Sequence, residues 1–106
     1  MIEKEKIQSK LNALKKKIFK LEDNYEYEKI DEEIENFRYE LEKELIENYN
    51  IWSWDSYGVE NLRFYVLDDD NICHAIIYLD KFEIIETNEH IKEIDRYFYQ
   101  EMIEEK

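Results

Sequence analysis

Asp68-Asp69-Asp70-Asn71 sets three carboxylates and an amide side by side, and Cys73-His74 follows closely. Such a run invites cation binding by oxygen ligands, or thiol and zinc chemistry. Neither spacing holds. A calcium loop alternates its oxygen ligands, turns on a central glycine and closes with a distal glutamate over about a dozen residues. Here no glycine follows, and the chain passes straight to Ile72 and Cys73. The four residues therefore read as a hairpin tip between two apolar runs. Neighbours on a strand point to opposite faces, so Cys73 and His74 converge neither on one zinc ion nor as a nucleophile–base pair. His90 alone completes no ligand set, and Cys73 is expected as a small buried hydrophobe. With 28 acidic residues, two carboxylates at glycosidase spacing would arise by chance and identify nothing. No catalytic residue, metal or cofactor is expected, and the chain reads as non-enzymatic.

What remains is recognition, and charge directs it. The 106 residues carry a formal net charge of -13. Seven lysines stand against Glu3 and Glu5 in residues 1–20, so that segment is +5 and the rest of the chain is -18. An acidic body repels nucleic acid and anionic membrane and attracts basic surfaces. The lysines are either an internal partner for an acidic neighbour or an arm for an external acidic surface. Candidate partner contacts are the helical carboxylates Glu32, Glu33 and Glu35, the turn carboxylates Asp68, Asp69 and Asp70, and the aromatics Trp52, Trp54, Tyr57, Tyr65 and Tyr78. Tyr49, Trp52, Trp54 and Tyr57 cluster in sequence, and Trp and Tyr dominate interface hot spots. The structural alternative is that the tryptophans anchor a helix-to-sheet junction.

The elements that must position these residues follow from periodicity. Ile7, Leu11, Leu14, Ile18, Leu21 and Tyr25 recur at helical spacing, as do Tyr27, Ile30, Ile34, Phe37, Leu41 and Leu45. On one continuous helix the two sets would fall on opposite faces. Two antiparallel helices, about 4–21 and 27–48, with a turn at Asp23-Asn24, bury both. From Asn50 the residues turn aromatic and β-branched. Ile51–Trp54, Asn61–Leu67, Ile72–Leu79 and Phe82–Glu86 read as strands, joined at Asp55–Gly58, Asp68–Asn71 and Asp80-Lys81. Pairing Leu67 with Ile72 puts Leu62, Phe64, Val66, Cys73, Ala75 and Ile77 on one core face. The other face, with Arg63, Tyr65, Leu67, Ile72, His74, Ile76, Tyr78, Glu83 and Ile85, is too apolar for open solvent. Either a helix covers it or a partner does. A last helix is expected over 87–106, capped by Thr87 or Asn88, with Ile91, Ile94, Phe98 and Met102 as its apolar stripe.

The expected class is α+β in a single domain: a helical hairpin over 1–48, a three- or four-stranded antiparallel meander over 49–86, and a C-terminal helix over 87–106. The single cysteine excludes an internal disulfide and fits a reducing cytoplasm. No apolar signal segment or membrane span is visible. One glycine and no proline exclude glycine-rich phosphate loops. The wealth of Lys, Glu, Ile, Asn and Tyr points to an AT-rich bacterial or phage genome.

In its helix–meander–helix order, with acidic turns at Asp68-Asp69-Asp70 and Asp80 and an acidic final helix within Asn61–Glu105, the chain resembles small phage-encoded anti-CRISPR inhibitors. The resemblance implies an inhibitor that mimics nucleic acid and occupies the basic groove of an RNA-guided nuclease in a bacterial host cell. An immunity protein against a basic nuclease toxin would look similar. A structural or assembly protein, dimerising through its helical hairpin, is the alternative of another class.

Overall fold

The computed structural model describes residues 2–45, 49–53 and 63–104. Trp54, Tyr57 and the Asp55–Gly58 turn lie outside the described residues. Two helices come first, α1 (Lys4–Asp23) and α2 (Glu28–Leu45). Four strands follow, β1 (Asn50–Ser53), β2 (Arg63–Leu67), β3 (Ile72–Tyr78) and β4 (Glu83–His90). They form one antiparallel sheet in the order β1-β2-β3-β4. The chain then turns into α3 (Ile91–Ile94) and α4 (Arg96–Glu104). The protein is α+β, with helices on both faces of the sheet.

The break between α1 and α2 is made by the backbone. Glu26 N–H donates to Leu21 O at 2.8 Å and Tyr25 N–H to Glu22 O at 3.1 Å. This pair of bonds closes the end of α1 in the manner of a Schellman motif, with Tyr25 in the left-handed region at φ 56°. The expected apolar stripes are then spent on one core except at their tyrosine ends. Tyr25 and Tyr27, expected within the stripes, are exposed at the hairpin tip because the turn lifts them off the sheet-facing side. Ile7, Leu11, Leu14 and Ile18 of α1 and Ile30, Ile34, Phe37 and Leu41 of α2 are buried with Ile51, Phe64, Val66, Ala75, Ile77 and Ile84 of the sheet.

The second face of the sheet is covered by α3 and α4. Tyr65, Leu67, Cys73 and Ile76 are buried there with Ile91, Phe98 and Met102, flanked by Trp52, Tyr78, Ile94 and Tyr99. A strand buried on both faces explains the near-continuous apolar run of β2.

Four expectations need correction. Leu67 pairs with Cys73, not Ile72, because the register shifts between Val66 and Leu67 and again between Cys73 and Ala75. The irregularity at His74 breaks the alternation of β3, so Cys73 packs on the α3/α4 side while Ala75 and Ile77 face α1 and α2. His74, expected on the second face, instead meets Tyr49, which packs against the α1/α2 core. The last helix begins at Ile91, not near 87, because β4 runs on to His90. Thr87 Oγ1 donates to Cys73 O and holds that stretch to the sheet, and His90 Nδ1 accepts from Lys92 N–H at 3.0 Å to cap α3.

Candidate partner-binding surface

Charge on the hairpin sorts by face. The side of α1 turned toward α2 carries Lys6, Lys10 and Lys17. Lys6 Nζ lies 3.2 Å from Glu44, Lys10 Nζ 2.8 Å from Glu44 and 3.7 Å from Glu40, and Lys17 Nζ 3.6 Å from Glu33. The hydrogen bond from Lys10 holds the Glu44 carboxyl below the usual carboxylate range. Glu33 thus faces inward on α1 and is separated from Glu32 and Glu35, which stand on the exposed side of α2 with Glu28. Glu28, Asp31, Glu32 and Glu35 have no ion pair among the described residues. At 1.5 Å of rise per residue, Glu28 to Glu35 makes an acidic ridge about 10 Å long.

The carboxylates of the β2–β3 turn divide in the same way. Asp68 Oδ1 accepts from Asp70 N–H at 2.8 Å and Ile72 N–H at 3.0 Å, and Oδ2 lies 2.8 Å from His74 Nε2. These bonds, that of His74 foremost, hold the Asp68 carboxyl below its ordinary range. Asp68 is therefore the residue that builds the turn. Asp69 and Asp70 are exposed at its tip, and Asn71 takes the left-handed conformation at φ 62° that its amide side chain tolerates.

The aromatic candidates move furthest from expectation. Tyr65 is 1% exposed, so it presents nothing to a partner. Its ring lies 4.7 Å from that of Phe98, and its hydroxyl donates to Asp95 Oδ2 at 2.8 Å. Burial pushes the Tyr65 phenol up to about 12. Tyr78 is half-buried, and its ring already lies 5.5 Å from both the Arg63 guanidinium and the Lys81 ammonium. Trp52 is part-buried against the α3/α4 core and lines a cleft of about 510 Å³ with Arg38, Glu42, Tyr49, Asn50 and Ile51. Tyr49 of the same sequence cluster borders this cleft beside it.

Sequence reasoning missed three residues. Asp95 joins α3 to α4: Oδ1 accepts from Phe98 N–H at 3.0 Å, a helix N-cap, while Oδ2 takes the Tyr65 hydroxyl. An aspartate three residues before a core phenylalanine was the legible signal. Gln8 and Arg38 serve the edges of the sheet. Gln8 Nε2 donates to Phe82 O at 2.8 Å and its Oε1 accepts from Ile84 N–H at 3.3 Å, beside β4. Arg38 donates to Ser53 Oγ at 2.7 Å and to Ile51 O at 3.3 Å on β1, and to Glu42 at 3.0 Å.

Among the described residues no three His, Cys, Asp or Glu side chains gather as a metal site, and no helix is long and apolar enough to cross a membrane. Burial pushes the Cys73 thiol up, away from the thiolate that nucleophilic chemistry needs. Comparison with protein-family models, with curated proteins and with solved structures finds no match to this chain.

Proposed function

We propose that this protein is a non-enzymatic acidic inhibitor that occupies the basic nucleic-acid groove of a bacterial nuclease, an RNA-guided defence nuclease being the leading target. The observation that carries this reading is the division of charge on the hairpin. Lys6, Lys10 and Lys17 are engaged by Glu33, Glu40 and Glu44, whereas Glu28, Asp31, Glu32, Glu35, Asp69 and Asp70 face outward without an ion-pair partner among the described residues. Carboxylates on a rigid helix and a tight turn can stand in for phosphates, and a basic groove gains from them at little ordering cost. Burial of Ile7, Leu11, Leu14 and Ile18 within the chain weighs against a dimer built by pairing α1 with a second α1.

The test is competition. Purified RNA-guided nucleases are mixed with labelled guide or target nucleic acid, and the protein is added at rising concentration. Displacement that weakens steeply with salt supports the reading. The quadruple Glu32→Gln, Glu35→Gln, Asp69→Asn and Asp70→Asn variant should displace at least tenfold less well while keeping its fold. A nuclease toxin bound in its place, with equal salt dependence, would favour the immunity-protein form of the same reading. Binding that is indifferent to salt and to the quadruple variant would overturn it.

A further inference from the structure

We propose that Tyr25 and Tyr27, at the tip of the α1–α2 hairpin, form a clasp for an arginine side chain of the basic partner; this rests on the acidic-inhibitor reading above. Three residues other than glycine adopt a left-handed backbone among the described residues: Tyr25, Asn71 and Phe82. Two have a reason within the fold. Asn71 is of the type that tolerates this conformation, and Phe82 is 7% exposed, with its ring 6.1 Å from that of Phe19 against the core. Tyr25 has neither. It is 81% exposed, at a helix-terminating position that glycine or asparagine fills with less strain. Strain retained for a side chain that buries almost nothing directs attention to what the side chain contacts outside the molecule.

The neighbourhood states the chemistry. The Tyr25 and Tyr27 rings meet edge to face, with centroids 6.4 Å apart and planes at 72°, and Tyr27 is 58% exposed. Glu22 and Asp23 close α1 just before the pair, and Glu28 opens α2 just after it; all three are exposed and without an ion-pair partner among the described residues. A guanidinium stacks on a tyrosine face while its N–H groups bond carboxylates in a planar fork, whereas a lysine ammonium offers only a point charge. Exposed rings beside unpaired carboxylates therefore select arginine over lysine.

The experiment titrates nona-arginine and nona-lysine peptides into the full chain, reading affinity by calorimetry and contact by NMR of the tyrosine rings. The expected result is tighter binding of the arginine peptide, with the Tyr25 and Tyr27 signals shifting. Tyr25→Gly should melt at the same temperature or a few degrees higher, yet lose arginine-peptide affinity by about three- to tenfold. Tyr25→Phe, which keeps the ring face, should restore it. Loss of less than twofold in Tyr25→Gly overturns the clasp. Should the quadruple carboxylate variant lose affinity while Tyr25→Gly does not, the clasp falls and the acidic reading stands. Failure of the wild-type chain to bind either peptide in a salt-dependent way overturns both.

Discussion

Asp68 and Tyr65 illustrate how single residues chosen as contacts turn out to hold the fold. Asp68 is ionised below its ordinary value near 3.8 because His74 and two backbone N–H groups bond its oxygens. A depressed folded value stabilises the fold above the ordinary one and loses that contribution as pH falls through the folded one. Asp68→Asn should therefore flatten the acid limb of stability below about pH 4, read by urea denaturation across pH. Tyr65 has the opposite sign. Burial raises its phenol from 10.0 to about 12, so its contribution is full below pH 10 and drains away as pH rises towards 12. Phenolate absorbance should show one tyrosine titrating late, and Tyr65→Phe should remove it. That variant also deprives Asp95 of a donor and should cost about 1–2 kcal/mol at neutral pH, measured in the same denaturation experiment.

Among the elements, the hairpin serves the sheet as much as it serves a surface. Edge strands expose backbone groups that recruit other chains unless something covers them. Here α1 lends Gln8 to the edge of β4, and α2 lends Arg38 to the edge of β1. Gln8→Ala should destabilise by about 1–2 kcal/mol and quicken hydrogen exchange at the Ile84 amide. The ion pairs between the helices are another matter. Exposed pairs are worth about 0–1 kcal/mol, so Lys17→Met should hardly move the melting temperature. Their consequence is to engage Lys6, Lys10 and Lys17 of α1 and leave Glu28, Asp31, Glu32 and Glu35 of α2 without an ion pair among the described residues.

For the whole molecule, acidity and shape act together. A net charge of -13 sets a field that speeds encounter with a basic partner and weakens as salt shortens the Debye length to about 8 Å at 0.15 M. The Glu32→Gln, Glu35→Gln, Asp69→Asn, Asp70→Asn variant should bind such a partner with a slower on-rate and a flatter salt slope, by stopped-flow or surface-immobilised kinetics. Including Asp68 or Glu33 would confuse the measurement, since both have bonds inside the fold.

Local pattern alone determined much of this architecture. The out-of-phase stripes of Ile7–Ile18 and Ile30–Leu41 required two helices, since a single rod would have exposed one of them. The acidic tip at Asp68–Asn71 announced a turn because Asp and Asn bond their own backbone. The charge contrast between the first helix and the second was legible as a choice between inward and outward lysines, and only tertiary packing answered it for Lys6, Lys10 and Lys17. Packing also decided what period-two reasoning could not reach. A strand irregularity at His74 inverted the face of Cys73, because one additional residue breaks the alternation beyond it. The length of β4 depended on Thr87 finding Cys73 O across the sheet, a bond between residues far apart in the chain. Tyr65 was legible as sheet-facing, but its burial depended on α3 and α4 returning over the second face, with Asp95 placed to receive its hydroxyl. Local propensity acts within a turn or a strand; these outcomes were settled by partners that only the folded chain brings together.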